Sequence, residues 1–75
     1  MRYTFIDGFS FDAQTPAEVC EALRNSMKFN TCPDFETWAR RNARVMLNAF
    51  GARLRTDNPG VHVADMLRAG ILRAA

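Results

Sequence analysis

Apolar and polar residues alternate over residues 2–13, RYTFIDGFSFDA, and then recur at helical spacing along most of the remaining chain. The alternation predicts a β-hairpin, because two aromatic-rich runs flank Asp7-Gly8, a dipeptide that favours a tight turn. Two registers compete. A two-residue loop pairs Ile6 with Phe9 and divides the aromatic side chains between the two faces. A three-residue loop, Ile6-Asp7-Gly8 with Gly8 left-handed, pairs Phe5 with Phe9 and gathers Tyr3, Phe5, Phe9 and Phe11 on one face. A one-residue slip moves every side chain to the opposite face, so the amphipathic register is expected. The four aromatics are read as core rather than as a base-stacking platform.

Helical spacing begins at Thr15-Pro16-Ala17-Glu18, which combines an N-cap threonine, a proline at the first helical position and a glutamate that completes a capping box. Val19, Ala22, Leu23 and Met27 form the apolar stripe, Cys20 flanks it, and fraying is expected near Lys28-Phe29-Asn30. The longest periodic stretch runs from Pro33 to Phe50 and stops at Gly51. Thr31 or Cys32 is expected to cap it, with Asp34 and Glu36 near its positive end. Its wheel places Phe35, Trp38, Ala39, Val45, Met46, Ala49 and Phe50 inward, with Asn42 among them, and Thr37, Arg40, Arg41, Arg44 and Asn48 outward. Residues 52–56 alternate again around Leu54, which predicts a short third strand with Arg53 and Arg55 outward. Asn58 and Pro59 then open a last helix whose inner side is Val63, Met66, Leu67 and Gly70. The expected layout is β-β-α-α-β-α: one α+β domain over residues 1–75, a hairpin and short third strand packed against three helices.

Charge sharpens this picture. The net +2 conceals two unlike halves: residues 1–36 hold six acids against three bases, and residues 37–75 hold seven arginines against two acids. The arginines concentrate on the outer face of the central helix, where Glu36 and Arg40 are spaced for an ion pair. No apolar run approaches the roughly 18 residues of a membrane span. The N-terminus lacks the basic start and apolar stretch of a signal peptide, so a cytoplasmic protein is expected.

Candidate chemistry is sparse. The single histidine, His62, has no partner at a motif spacing and is expected at or near the surface; Asn42 reads as a core polar group rather than a catalytic amide. Cys20 and Cys32 with one histidine do not make a zinc set, and no glycine-rich phosphate loop is present. No enzyme activity, metal or cofactor is expected, and the cysteines read as ordinary thiols. The sharp candidate is a partner-binding surface made of Arg40, Arg41, Arg44, Leu47, Arg53 and Arg55, suited to an acidic protein surface or to phosphates.

Three segments carry a resemblance: TPAEVCEALRNSMKF, FETWARRNARVMLNAFGARLRTDNP and VADMLRAGIL. Together they resemble small accessory proteins of phages and other mobile elements, which share an aromatic-rich start, a Thr/Ser-Pro-x-Glu helix, an Arg-Thr-Asp before the third helix and a terminal Gly-Ile/Leu. The chain departs from that pattern at Gly60-Val61-His62, where acidic and aromatic residues are usual. The resemblance implies a non-enzymatic inhibitor of a host defence complex, of the anti-CRISPR kind. Such a protein would bind a host protein or ribonucleoprotein stoichiometrically in the host cytoplasm. The alternatives are a small nucleic-acid-binding regulator using the basic face of the central helix, and a homodimer in which the central helices pack together.

Overall fold

The computed structural model describes residues 1–26 and 34–74. In chain order the elements are β1 (Arg2–Phe5), β2 (Ser10–Asp12), α1 (Pro16–Asn25), α2 (Phe35–Phe50), α3 (Pro59–Ala69) and β3 (Leu72–Ala74). The chain is a small α+β fold, with a three-stranded antiparallel sheet of order β2-β1-β3 and three helices.

The hairpin adopts the three-residue register. Tyr3 lies opposite Phe11 and Thr4 opposite Ser10. At the loop, Phe5 N–H donates to the Phe9 carbonyl at 2.8 Å and Gly8 N–H to the Phe5 carbonyl at 2.8 Å. Gly8 has φ +94°, open to glycine and strained for a residue with a Cβ. Tyr3 and Phe9 both stack on Phe11, at 5.8 and 5.4 Å between centroids, so the aromatics share a face as the alternation requires. The opposite face is polar, with a Thr4–Ser10 hydroxyl contact at 3.0 Å and an Arg2–Asp12 ion pair.

The third strand is not where the sequence places it. Residues 52–56 form no strand, and the free edge of β1 is taken instead by β3, with Phe5 opposite Leu72 and Thr4 opposite Arg73. The order is therefore β-β-α-α-α-β. The alternation in 52–56 is real, since Leu54 is buried between exposed Arg53 and Arg55. What fails is the pairing: the Arg55 N–H donates to the Asp65 carboxylate at 2.8 Å, and the Arg55 carbonyl meets His62 Nδ1 at 2.8 Å. Side chains of α3 occupy the backbone groups that a ladder would use.

The helix caps follow local chemistry. Thr15 Oγ1 accepts Glu18 N–H at 3.2 Å, and Glu18 reaches back to the Gln14 N–H, one residue before the cap. Asn58 caps α3 through Val61 N–H at 3.0 Å. The cap of α2 is Asp34, whose carboxylate accepts Thr37 N–H at 2.8 Å and is held below its ordinary pKa by that bond. Thr31, Cys32 and the expected fraying near residue 28 lie outside the described residues, as does Met27.

The inner sheet face and the three helices enclose one core, with Val19, Leu23, Trp38, Met66, Ile71 and Leu72 at its centre. The seats of α2 and α3 differ from the wheels. On α2 the buried stripe is Trp38, Ala39, Asn42 and Met46, with Phe35 half-buried, whereas Val45, Ala49 and Phe50 are exposed. A 16-residue helix is about 24 Å long at 1.5 Å per residue. The whole molecule measures 26 × 25 × 22 Å. The helix thus runs nearly the length of the molecule, and past Met46 none of its residues is buried. On α3 the inner positions are His62, Val63, Asp65 and Met66, and Leu67, expected inside, is exposed.

Candidate functional site: the outer face of α2 and the cluster beneath it

The solvent side of α2 is graded along its length. Its first turn carries Glu36, which pairs with Arg40 one turn later. Arg41 and Arg44 follow, and neither forms an ion pair among the described residues; the same holds for Arg53, just past the helix. The last turns expose apolar side chains around Asn48: Val45 is 50% exposed, Leu47 44% and Phe50 57%. Positions three and four apart are neighbours on a helix, so Arg41 adjoins Val45, Arg44 adjoins Leu47, and Leu47 adjoins Phe50. The helix ends on left-handed Gly51, whose N–H donates to the Leu47 carbonyl at 2.9 Å, and no basic residue lies in its last turn.

Of the six residues expected at a partner surface, Arg40, Arg41, Arg44 and Leu47 thus lie on the outer side of one helix, with Arg53 beyond its end. Arg55 stands apart. Its Nε and Nη2 donate to the two carboxylate oxygens of Asp65, both at 3.0 Å, alongside its backbone N–H. Arg68 adds a contact to the same carboxylate at 3.2 Å. These bonds hold the Asp65 carboxyl well below the usual carboxylate range and raise the Arg55 guanidinium. Arg55 ties the 52–58 segment to α3.

Beneath the face lies a polar cluster of which the sequence places only Asn42, as a core polar group. His62 is completely buried, where a surface or half-buried position was expected. Its Nδ1 faces the Arg55 carbonyl, which can only accept, so Nδ1 carries the proton. Nε2 is then the bare nitrogen and accepts from Asn42 Nδ2 at 3.0 Å. Asn42 Nδ2 also approaches Met66 Sδ at 3.6 Å. Trp38 and Phe35 meet the imidazole in tilted, near-perpendicular contacts at 5.3 and 5.8 Å. Burial pushes the imidazole below its ordinary value of 6.5, outweighing the opposing pull of the Arg55 carbonyl and the Asp65 charge.

Both nitrogens of His62 are engaged, which leaves it no lone pair for a substrate. Asp65 contacts arginines rather than the imidazole, so the relay of an acyl-transfer triad is not assembled here. Cys20 lies in a groove of about 170 Å³ walled by Phe35 and Trp38, but burial pushes its thiol up to about 12, far from a reactive thiolate. Among the described residues, no group of three His, Cys, Asp or Glu side chains could hold a metal ion, and no helix is long and apolar enough to cross a membrane.

One signal for the cluster was present in the sequence. His62 and Asp65, three residues apart, share the inner stripe of α3 with Met66, and polar groups on a buried stripe must find partners. The partners come from 20 and 10 residues away, Asn42 and Arg55, where no local pattern points. Comparison with protein-family models, curated proteins and solved structures gives no match.

Proposed function

We propose that the protein is a non-enzymatic binding protein that uses the outer face of α2 for a stoichiometric protein–protein contact. The resemblance to phage accessory proteins supplies the context: an inhibitor of a host defence complex of the anti-CRISPR kind, acting in the host cytoplasm. One observation supports this most. Arg41 and Arg44, without acidic partners among the described residues, adjoin half-exposed Val45 and Leu47, and Leu47 in turn adjoins Phe50. Arginine and aromatic side chains are enriched at interfaces, so Arg41, Arg44 and Phe50 suit a contact in which apolar groups anchor and the guanidinium forks give direction.

The test is R41E/R44E in a phage- or plasmid-interference assay in cells with an active defence system. Wild-type protein is expected to relieve interference, and the variant to lose that effect while its circular dichroism and melting temperature stay unchanged. Both side chains are exposed, so folding is not at stake. Full inhibition by the folded variant would overturn the reading.

A further inference from the structure

We infer that the occupant of the α2 face is an acidic protein segment with large apolar anchors, rather than nucleic acid or a second copy of this chain. This rests on the binding-protein reading above and specifies its partner.

Charge makes the first discrimination. Arg41 and Arg44 adjoin the exposed apolar side chains and Arg53 follows the helix end in the chain, while the one acid on the outer face, Glu36, lies in the first turn and is occupied by Arg40. A two-fold contact between copies sets the same patch against itself and brings arginine towards arginine. The exposed parts of Val45, Leu47 and Phe50 together amount to a few hundred Å² at most, a usual patch for a monomer and well short of the roughly 800 Å² per partner of a stable dimer. Self-association therefore has repulsion against it and too little apolar area in favour.

The helix end makes the second. Along α2 itself a polyanion meets guanidinium groups only as far as Arg44. Beyond that it meets Leu47, Asn48 and Phe50 and the carboxyl end of the helix, whose dipole is negative and which no basic residue in the last turn offsets. Past that end Arg55 is committed to Asp65, so Arg53 alone gives phosphates little to track. A protein segment with Asp or Glu opposite Arg41 and Arg44, and Leu, Phe or Trp opposite Val45, Leu47 and Phe50, satisfies both halves of the gradient.

A display library of helix-forming peptides, randomised in charge and apolar content, reads this chemistry without presupposing the partner. Peptides selected on the wild-type protein are expected to carry acids next to large apolar residues. They should bind R41E/R44E at least about tenfold more weakly, the loss of one charge-assisted hydrogen bond. They should bind R2E/R73E, altered on the opposite sheet face, as they bind wild type. Neutral or basic winners, equal binding to R41E/R44E, an empty selection, displacement by a short DNA duplex, or a dimer in sedimentation would each overturn the inference. The two ideas fail separately. Acidic winners with no defence complex inhibited would remove the inhibitor reading and leave the surface chemistry standing. Inhibition in cells alongside charge-indifferent winners would do the reverse.

Discussion

Mild acid should destabilise this protein through one residue. His62 is buried and neutral, with Nδ1–H donating to the Arg55 carbonyl and Nε2 accepting from Asn42. Protonation places a hydrogen on Nε2 facing the Asn42 amide N–H, so the amide must turn over and give up its approach to Met66 Sδ. It also places a cation in the core against Trp38 and Phe35, with Asp65 as the nearest countercharge, already shared by Arg55 and Arg68. The folded pKa lies below 6.5, the ordinary value. A group depressed on folding contributes stability that is complete above its unfolded pKa and is lost as pH falls towards and through the folded value.

The size of the effect follows from linkage. One proton taken up by the unfolded chain alone costs about 1.4 kcal/mol per pH unit. From pH 6.5 to 5 the loss is therefore at most about 2 kcal/mol, reached when the folded imidazole stays neutral throughout. Cation–π attraction from Trp38 would reduce it by about 0.5–1 kcal/mol. Against a typical stability of about 5–15 kcal/mol this is a readable fraction. Urea unfolding followed by Trp38 fluorescence at pH 7.5, 6.5, 5.5 and 5.0 measures it, with His62→Gln as the non-titrating control. Wild type should lose midpoint stability over this window and the variant should not. Equal pH dependence in both, or a flat wild-type profile, would refute the argument, as would a His62 proton resonance titrating at or above 6.5 in the folded state.

The remaining expectations concern single contacts. Asp65→Asn removes the paired acceptor of Arg55 and should cost about 1.5–3 kcal/mol in urea unfolding, the range for hydrogen bonds to a charged group; in the wild type this contribution is present above pH 3.8 and fades below it, because the folded carboxyl titrates lower. Gly51→Ala forces a Cβ into φ +69° at the end of α2 and should cost about 1 kcal/mol by the same assay; an unchanged midpoint would mean the turn is not held left-handed. In a Cys32→Ser background, Cys20 should resist a thiol reagent at pH 8 until denaturant is added, and rapid native labelling would contradict its raised pKa.

What the sequence disclosed is what short-range chemistry controls. The hairpin register was legible because one arrangement gathers Tyr3, Phe5, Phe9 and Phe11 and the other does not. The starts of α1 and α3 were legible because Thr15 and Asn58 each precede a proline and reach a backbone N–H three residues on. The third strand was misplaced because alternation reports which side chains face inward, not which backbone groups are free. Leu54 does face inward, yet both polar backbone groups of Arg55 belong to α3. The edge of β1 goes to residues 72–74, where Gly70 stops α3 and leaves Ile71 and Leu72 buried beside the hairpin.

The candidate surface shows the same limit from the other side. A helical wheel treats every turn as if the core extended beside it, so Val45, Ala49 and Phe50 were assigned to the interior with Trp38 and Met46. The buried stripe of α2, Trp38, Ala39, Asn42 and Met46, is narrower than the wheel's apolar arc, so Val45 falls on its flank beside buried Met46, and the last turn, with Ala49 and Phe50, is exposed. The apolar residues left at its rim then adjoin Arg41 and Arg44, which the wheel had already placed outside. The arginines and Leu47 were thus legible from the sequence, whereas Val45 and Phe50 were assigned to the interior and are exposed. Asn42 marks the boundary on the inner side: it is the amide through which α2 is pinned to His62, one residue from Arg41. The surface that would meet a partner and the bond that seats it therefore occupy the same turn of α2.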